Sequence, residues 1–222
     1  MAIKFKDLKG KASGSGLPRM KFVNGINTFR IVSSVVPMYK YWLKTKDGQT
    51  MPMENLAFDR DEEAFTGKQK DWVKELVKDE DGEQKRSSWA YSCFVIDRSD
   101  NTAKILDLKK KMLAQIIHAA KKIGDPSDRE NGWDIVVDRQ STGNQVYNVE
   151  YTLETFDLEN KPLSEKDLEL IKDLPDIEEY LRRPTPEEQK KFIEERILGE
   201  VDDETADEEA VEALDSDDIP FD

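Results

Sequence analysis

Sulfur and imidazole chemistry are almost missing from this sequence, which has one cysteine (Cys93) and one histidine (His118). A lone thiol excludes an internal disulfide and fits a reducing, cytoplasmic setting. With a single histidine beside it, no Cys/His zinc set can be assembled. No apolar run approaches eighteen residues and none follows the N-terminus, so neither a membrane span nor a secretory leader is expected. No spacing of Ser, His or carboxylates singles out a nucleophile and base, a general acid–base pair or a metal cluster. The expectation is therefore a chain with no catalytic residues, no metal and no cofactor, and not an enzyme.

Positive charge is absent from one region in particular. The last stretch, 200–222, holds twelve carboxylates and no Lys or Arg. It has too few apolar residues to offset its ordering entropy and reads as a disordered tail. The net charge of −14 belongs mostly to that tail: without it, thirty-six acids face thirty-four bases. Residues 1–44 lean the other way, with nine bases against the single acid Asp7. A basic front and an acidic end suit a chain that binds a polyanion.

What is present divides the chain into four parts. Residues 1–20 are basic, then Gly/Ser-rich, and read as a flexible arm. From 21 to 157 strand signals dominate. Thr28–Val36 is β-branched until Pro37, and Met38–Thr45 alternates, with Tyr39, Tyr41 and Leu43 on one face and Lys40, Trp42 and Lys44 on the other, the second being unusual for a core and suited to nucleic acid. Residues 54–82 carry helical spacing (Trp72, Val73, Leu76, Val77) and read as a helical insertion. Strands return at Ser88–Asp97 and Thr102–Leu106. A helix capped by Asp107 and stopped by Gly124 follows, with Met112, Leu113, Ile116, Ile117 and Ala120 as its buried stripe and His118 on its wet side. Trp133–Arg139 and Gln145–Leu153 form a hairpin. Residues 158–199 are helical: Thr185-Pro186-Glu187-Glu188 is a capping box, Ser164 and Asp176 bracket two shorter helices, and Gly199 is the stop. The fold class is α+β with a mainly β core, an OB-fold-like barrel with a helical insertion and C-terminal helices.

Interleaved lysines and aromatics on such a core suit an unpaired nucleic acid. Cations displace counterions along the phosphates, and rings stack on bases without regard to sequence. Lys21, Arg30, Lys40, Lys44, Lys104 and Arg139 are the candidates for phosphate neutralisation. Trp42, Trp89 and Tyr91 are the candidates for stacking, joined by Tyr41, although its face is also a core face. Lys109, Lys110 and Lys111 open the helix and complete the set. Ordinary sheet packing is the alternative for Trp89 and Tyr91, and a solvated helix start for the three lysines.

Asp217, Asp218, Ile219, Pro220, Phe221 and Asp222 resemble the partner-recruiting tip of the bacterial-type single-stranded DNA-binding proteins. In that family Phe is terminal and its carboxylate joins the contact, whereas here Asp222 follows Phe221. A second resemblance, spanning roughly 18–155 and the acidic end, is to the helix-destabilising proteins of large tailed phages. It is carried by Asn24-Gly25 with Phe29-Arg30-Ile31, Tyr39-x-Tyr41-Trp42, Trp89-Ala90-Tyr91 into Val95-Ile96-Asp97, Lys109–Lys111, and Gly132-Trp133-Asp134 with Tyr147-Asn148-Val149. The resemblance implies a role in phage DNA replication, recombination and repair in the host cytoplasm. It also implies an N-terminal arm for self-association and an acidic tail that docks replication and recombination proteins. The zinc subdomain often found in that family is not expected here, because residues 45–87 lack the ligands. The rival reading, an acidic DNA mimic or adaptor without DNA contact, rests on the net charge; a metal-dependent nuclease rests on no spacing at all.

Overall fold

A computed structural model describes residues 16–143, 148–156 and 158–199. The elements in chain order are β1 (Gly25–Ile31), β2 (Val36–Lys44), β3 (Thr50–Glu54), β4 (Phe58–Asp59), β5 (Ala64–Phe65), α1 (Trp72–Leu76), β6 (Ser88–Asp97) and β7 (Thr102–Leu108). They continue as α2 (Lys110–Ile123), β8 (Ile135–Ser141), β9 (Val149–Leu153), α3 (Glu165–Ile171), α4 (Ile177–Tyr180) and α5 (Pro186–Phe192), which widens into π-type turns over Ile193–Leu198. The chain forms two units. Of the described residues, the first takes those up to Tyr39 with Arg60–Ala64 and Trp89–Arg182; the second takes Lys40–Asp59, Phe65–Ser88 and those from Arg183 to Gly199.

The first unit is built around β6, whose run of aromatic and β-branched residues suits a strand buried on both faces. Tyr91, Cys93 and Val95 point into the larger core, with Phe29 and Ile31 of β1, Leu106 and Leu108 of β7, Trp133, and Ile135 and Val137 of β8. Ala90 and Phe94 point the other way and meet Val36, Met38, Ile105 and Ile177. The sheet order is β2–β6–β1–β8–β9, with β7 also on β6. Helix α2 closes the larger core with Met112, Ile116 and Ala119. Each fully buried aliphatic or aromatic side chain there contributes roughly 1.5–3 kcal/mol relative to exposure.

The exposed edge of β9 is covered by a side chain rather than a strand. Gln115 of α2 accepts from Leu153 N (2.9 Å) and donates to Tyr151 O (3.4 Å), occupying both backbone groups as a neighbouring strand would.

In the second unit β2 pairs with β3, placing Tyr41 opposite Met53 and Trp42 opposite Pro52. Tyr41 and Leu43 pack on Val73, Val77 and Ile193. The Tyr41 hydroxyl donates to Asp71 Oδ2 (2.7 Å) and accepts from Asn55 Nδ2 (2.7 Å), while Asp71 also caps α1. Gln189 of α5 accepts from Trp72 N (2.7 Å) and donates to Glu54 O (2.9 Å), tying α5 to α1 and β3.

The mainly β, α+β class expected from the sequence is the one observed. Among the described residues no pairing joins β9 to β2 or β7, so the sheet is an open path rather than a closed hydrogen-bonded barrel. Within 54–82 the helix is confined to Trp72–Leu76, and the rest is turns and the short strands β4 and β5. Asp107 does not cap α2. It lies in β7, which runs two residues further than expected, and its carboxylate takes Arg19 Nη1 (2.5 Å) and the Ser92 hydroxyl. The stripe of α2 is also narrower than expected, since Ile117 is 49% exposed. The capping box at Thr185, the helix starts at Ser164 and Asp176 and the stops at Gly124 and Gly199 fall where the sequence puts them, and Ser164 proves to form a capping box as well. The tip of the β8–β9 hairpin including Tyr147, the basic arm before Gly16 and the acidic tail from Glu200 lie outside the described residues.

Candidate nucleic-acid interface

In the first unit an aromatic group forms where β2 and β6 lie side by side. Trp89 and Tyr91, two apart on β6, project from the same face and stack with centroids 5.2 Å apart and an interplanar angle of 15°. Tyr39 of β2 meets Trp89 at 4.4 Å. Tyr39 and Trp89 are half-buried, whereas Tyr91 is 7% exposed and backs the Trp89 ring rather than offering a face of its own. Burial raises the phenol pKa values of Tyr39 and Tyr91, with Glu63 adding to the effect at Tyr91, so both stay neutral.

Helix α2 begins beside this group with an unusual set of residues. Its N-cap is Lys109, which makes no side-chain cap, and its first turn holds no acid. Lys110 and Lys111 follow directly. Helix N-termini carry partial positive charge and unpaired N–H groups, so three cations there oppose helix formation. The same arrangement draws an anion. The lysines also diverge. Lys110 Nζ lies 5.1 Å from the Trp89 ring centroid, in cation–π range. Lys109 and Lys111 line a cavity of about 280 Å³ with Thr142, Glu150 and Tyr151 of the β8–β9 hairpin.

The other sequence candidates are not brought into this cluster. Lys21 is exposed ahead of β1. Arg139 is half-buried and donates through Nη1 to Asn24 Oδ1. In the second unit Trp42 is 44% exposed opposite Pro52, with exposed Lys44 two residues along the same face. That is the surface the alternation predicts.

Four candidates are committed to internal contacts instead. Arg30 is fully buried: Nη2 donates to Asp128 O (3.0 Å) and Lys161 O (2.7 Å), and Nη1 sits 3.5 Å from Asp134. Burial lowers its pKa, with Asp134 opposing the effect. Lys40 is 5% exposed and faces Glu54 across the β2–β3 ladder. Tyr41 is 1% exposed, and burial, then its bond to Asp71, raises its pKa. Lys104 holds Asp97 Oδ2 (2.7 Å) and Asp100 Oδ2 (2.6 Å); burial works against its charge, but these bonds outweigh it and raise its pKa. Strand alternation reveals which way a side chain points, not what covers it.

Tyr39 is the ring of this group that the sequence does not offer as a stacking candidate, because it shares a strand face with Tyr41 and Leu43. The buried face of β2 changes along the strand: Val36 and Met38 are buried in the first unit, Tyr41 and Leu43 in the second. Tyr39 lies at the change. The apolar pair Val36 and Met38 is the signal that would have found it.

Among the described residues no three His, Cys, Asp or Glu side chains are grouped to hold a metal, and no helix is long and apolar enough to cross a membrane. No protein-family model matches the chain. It is similar to a curated protein of Escherichia phage T5, named as a probable ssDNA-binding protein, at 33% identity over 209 residues that cover 81% of each chain. With that identity sustained across most of both proteins, the chain belongs to the same family as the T5 protein.

Proposed function

We propose that the chain is a sequence-tolerant, non-enzymatic binder of single-stranded DNA that serves phage DNA replication, recombination and repair in the host cytoplasm. The observation that carries this reading is the meeting, in one unit, of three lysines at an uncapped helix start with the Tyr39–Trp89–Tyr91 group. Lys110 and the N–H groups of α2 neutralise phosphate, and the half-buried rings of Tyr39 and Trp89 take bases. Lys109 and Lys111 continue the path along the cavity beside Thr142 and Tyr151. Stacking contributes about 1–3 kcal/mol per base and is open to every base. The name of the T5 relative supports the same ligand.

Trp42 and Lys44 form a second patch of the same chemistry in the second unit, and Lys21 and Arg139 add cations in the first. Arg30, Lys40, Tyr41 and Lys104 support the fold rather than the ligand. The tip from Asp217 to Asp222 recruits replication and recombination proteins, and the basic arm mediates self-association; both roles rest on the sequence resemblance.

Competition decides the reading. A labelled oligo-dT complex should be dispersed by unlabelled single strands and resist the same mass of blunt duplex. Equal competition by duplex overturns it.

A further inference from the structure

Glu63 lies in the first unit between β4 and β5 and reaches the aromatic group through Tyr91. Tyr91 donates its hydroxyl to Glu63 Oε2 at 3.3 Å. Among the described residues that hydroxyl is the carboxylate's one hydrogen-bond partner, and Glu63 itself is exposed. Its φ of 46° is one of two positive values at non-glycine residues among the described residues. A glutamate adopts that conformation only when its surroundings fix it. A carboxylate is thus held at the rim of the Trp89–Tyr91 stack, with acceptor capacity left over after Tyr91 has taken one oxygen.

A negative charge is out of place in a site that serves only to hold phosphates. Its chemistry suits the edge of a base. Cytosine and adenine offer an exocyclic amino group to such an acceptor, and guanine offers two adjacent N–H donors. Thymine offers one N–H flanked by two carbonyl oxygens, which a carboxylate repels. We infer that Glu63 biases one nucleotide position of the interface toward bases carrying an amino group and against thymine.

The inference rests on the single-strand reading above and deepens it. Binding stays sequence-tolerant because stacking and phosphate neutralisation dominate, and one position per protein is graded by hydrogen bonding. Every protein on a homopolymer meets the same base at that position, so the bias appears in full.

The test compares wild type with Glu63→Gln on oligo-dC and oligo-dT of equal length. The amide oxygen still accepts from Tyr91, but the charge is gone and the amide nitrogen can donate to thymine O4. The ratio of dC to dT affinity should fall roughly three- to tenfold in E63Q. Affinity for oligo-dT should rise. Taking the ratio between proteins cancels intrinsic differences between the two homopolymers. An unchanged ratio overturns the inference while leaving the single-strand reading intact. Equal weakening on both oligomers with a lower Tm also overturns it, and makes Glu63 a support for Tyr91. Failure of wild type to bind either oligomer overturns both.

Discussion

Replacing Lys109, Lys110 and Lys111 together by Gln moves binding and stability in opposite directions, and that opposition makes the variant informative. Each lysine that neutralises a phosphate contributes about 0.7 to the slope of log affinity against log salt on a single strand. Three contributing lysines therefore reduce the slope by about 2. For folding the sign of the charge effect reverses, offset in part by loss of the Lys110–Trp89 cation–π contact, worth about 0.5–1 kcal/mol at a partly exposed site. Three cations crowd a helix start that lacks a side-chain cap and a first-turn acid. Each such charge opposes the helix by about 0.3–1 kcal/mol at low salt. Gln preserves helix propensity, so the relief is electrostatic. Fluorescence anisotropy of labelled oligo-dT across a salt series gives the slope, and thermal melts at low salt give the stability. The expected result is a shallower slope, weaker binding and a Tm equal to or above wild type. An unchanged slope with a raised Tm would show that the lysines are only a solvated face. A lowered Tm would refute the helix-terminus argument itself.

Further expectations concern the fold. Arg30→Met should destabilise by roughly 3 kcal/mol in urea unfolding, because it strips a donor from Asp128 O and Lys161 O and leaves Asp134 with Arg98 as its principal buried partner. Near-native stability with lost DNA affinity would return Arg30 to the ligand. Gln115→Leu removes both bonds that cover the β9 edge and should cost about 1–3 kcal/mol, with faster hydrogen exchange at Leu153 N; unchanged exchange would contradict it. Stability should also fall in acid. Burial works to raise Asp97 and Asp167, but bonds from Lys104 and Ser99 to the first, and from Arg98 and Ser164 to the second, outweigh it and hold both below the ordinary carboxylate range. Their contribution is full above the unfolded value near pH 4 and is lost as pH falls through the lower folded values. Asp71, raised by burial, pulls the other way. Calorimetry should show the Tm dropping below about pH 4; a Tm that rises between pH 5 and 3 would contradict this balance.

Local signals were legible and coverage was not. The β-branched and aromatic run predicts β6 with the bounds observed, and Ser164, Thr185 and Gly124 mark helix ends because caps and stops act within a few residues. His118 is on the wet side of α2, as its spacing from the apolar stripe requires. Arg30 reads as an outward cation because Thr28 and Arg30 alternate with the core residues Phe29 and Ile31. The groups that bury it, Asp128, Lys161 and Asp134, lie far along the sequence, and nothing local announces them. Tyr39 was hidden for a different reason: alternation places it on one face with Tyr41 and Leu43, whereas the buried face of β2 changes where the strand passes from one unit to the other. The lysines of α2 were visible as a charge run, but only the three-dimensional arrangement separates Lys110, at Trp89, from Lys109 and Lys111, at the hairpin.

Tryptophan emission offers the most direct test, because the four tryptophans are placed so differently. Trp133 is fully buried and bonded to Gly124 O, Trp72 is in cation–π contact with Lys70 and Lys190, and Trp42 and Trp89 belong to the two proposed contact patches. Titrating wild type with oligo-dT should quench emission to saturation, with recovery on adding salt. Trp89→Phe should lose a large share of that signal together with affinity. Full quenching and undiminished affinity in the Trp89→Phe variant, or no quenching in wild type, would contradict the assignment of this face to single-stranded DNA.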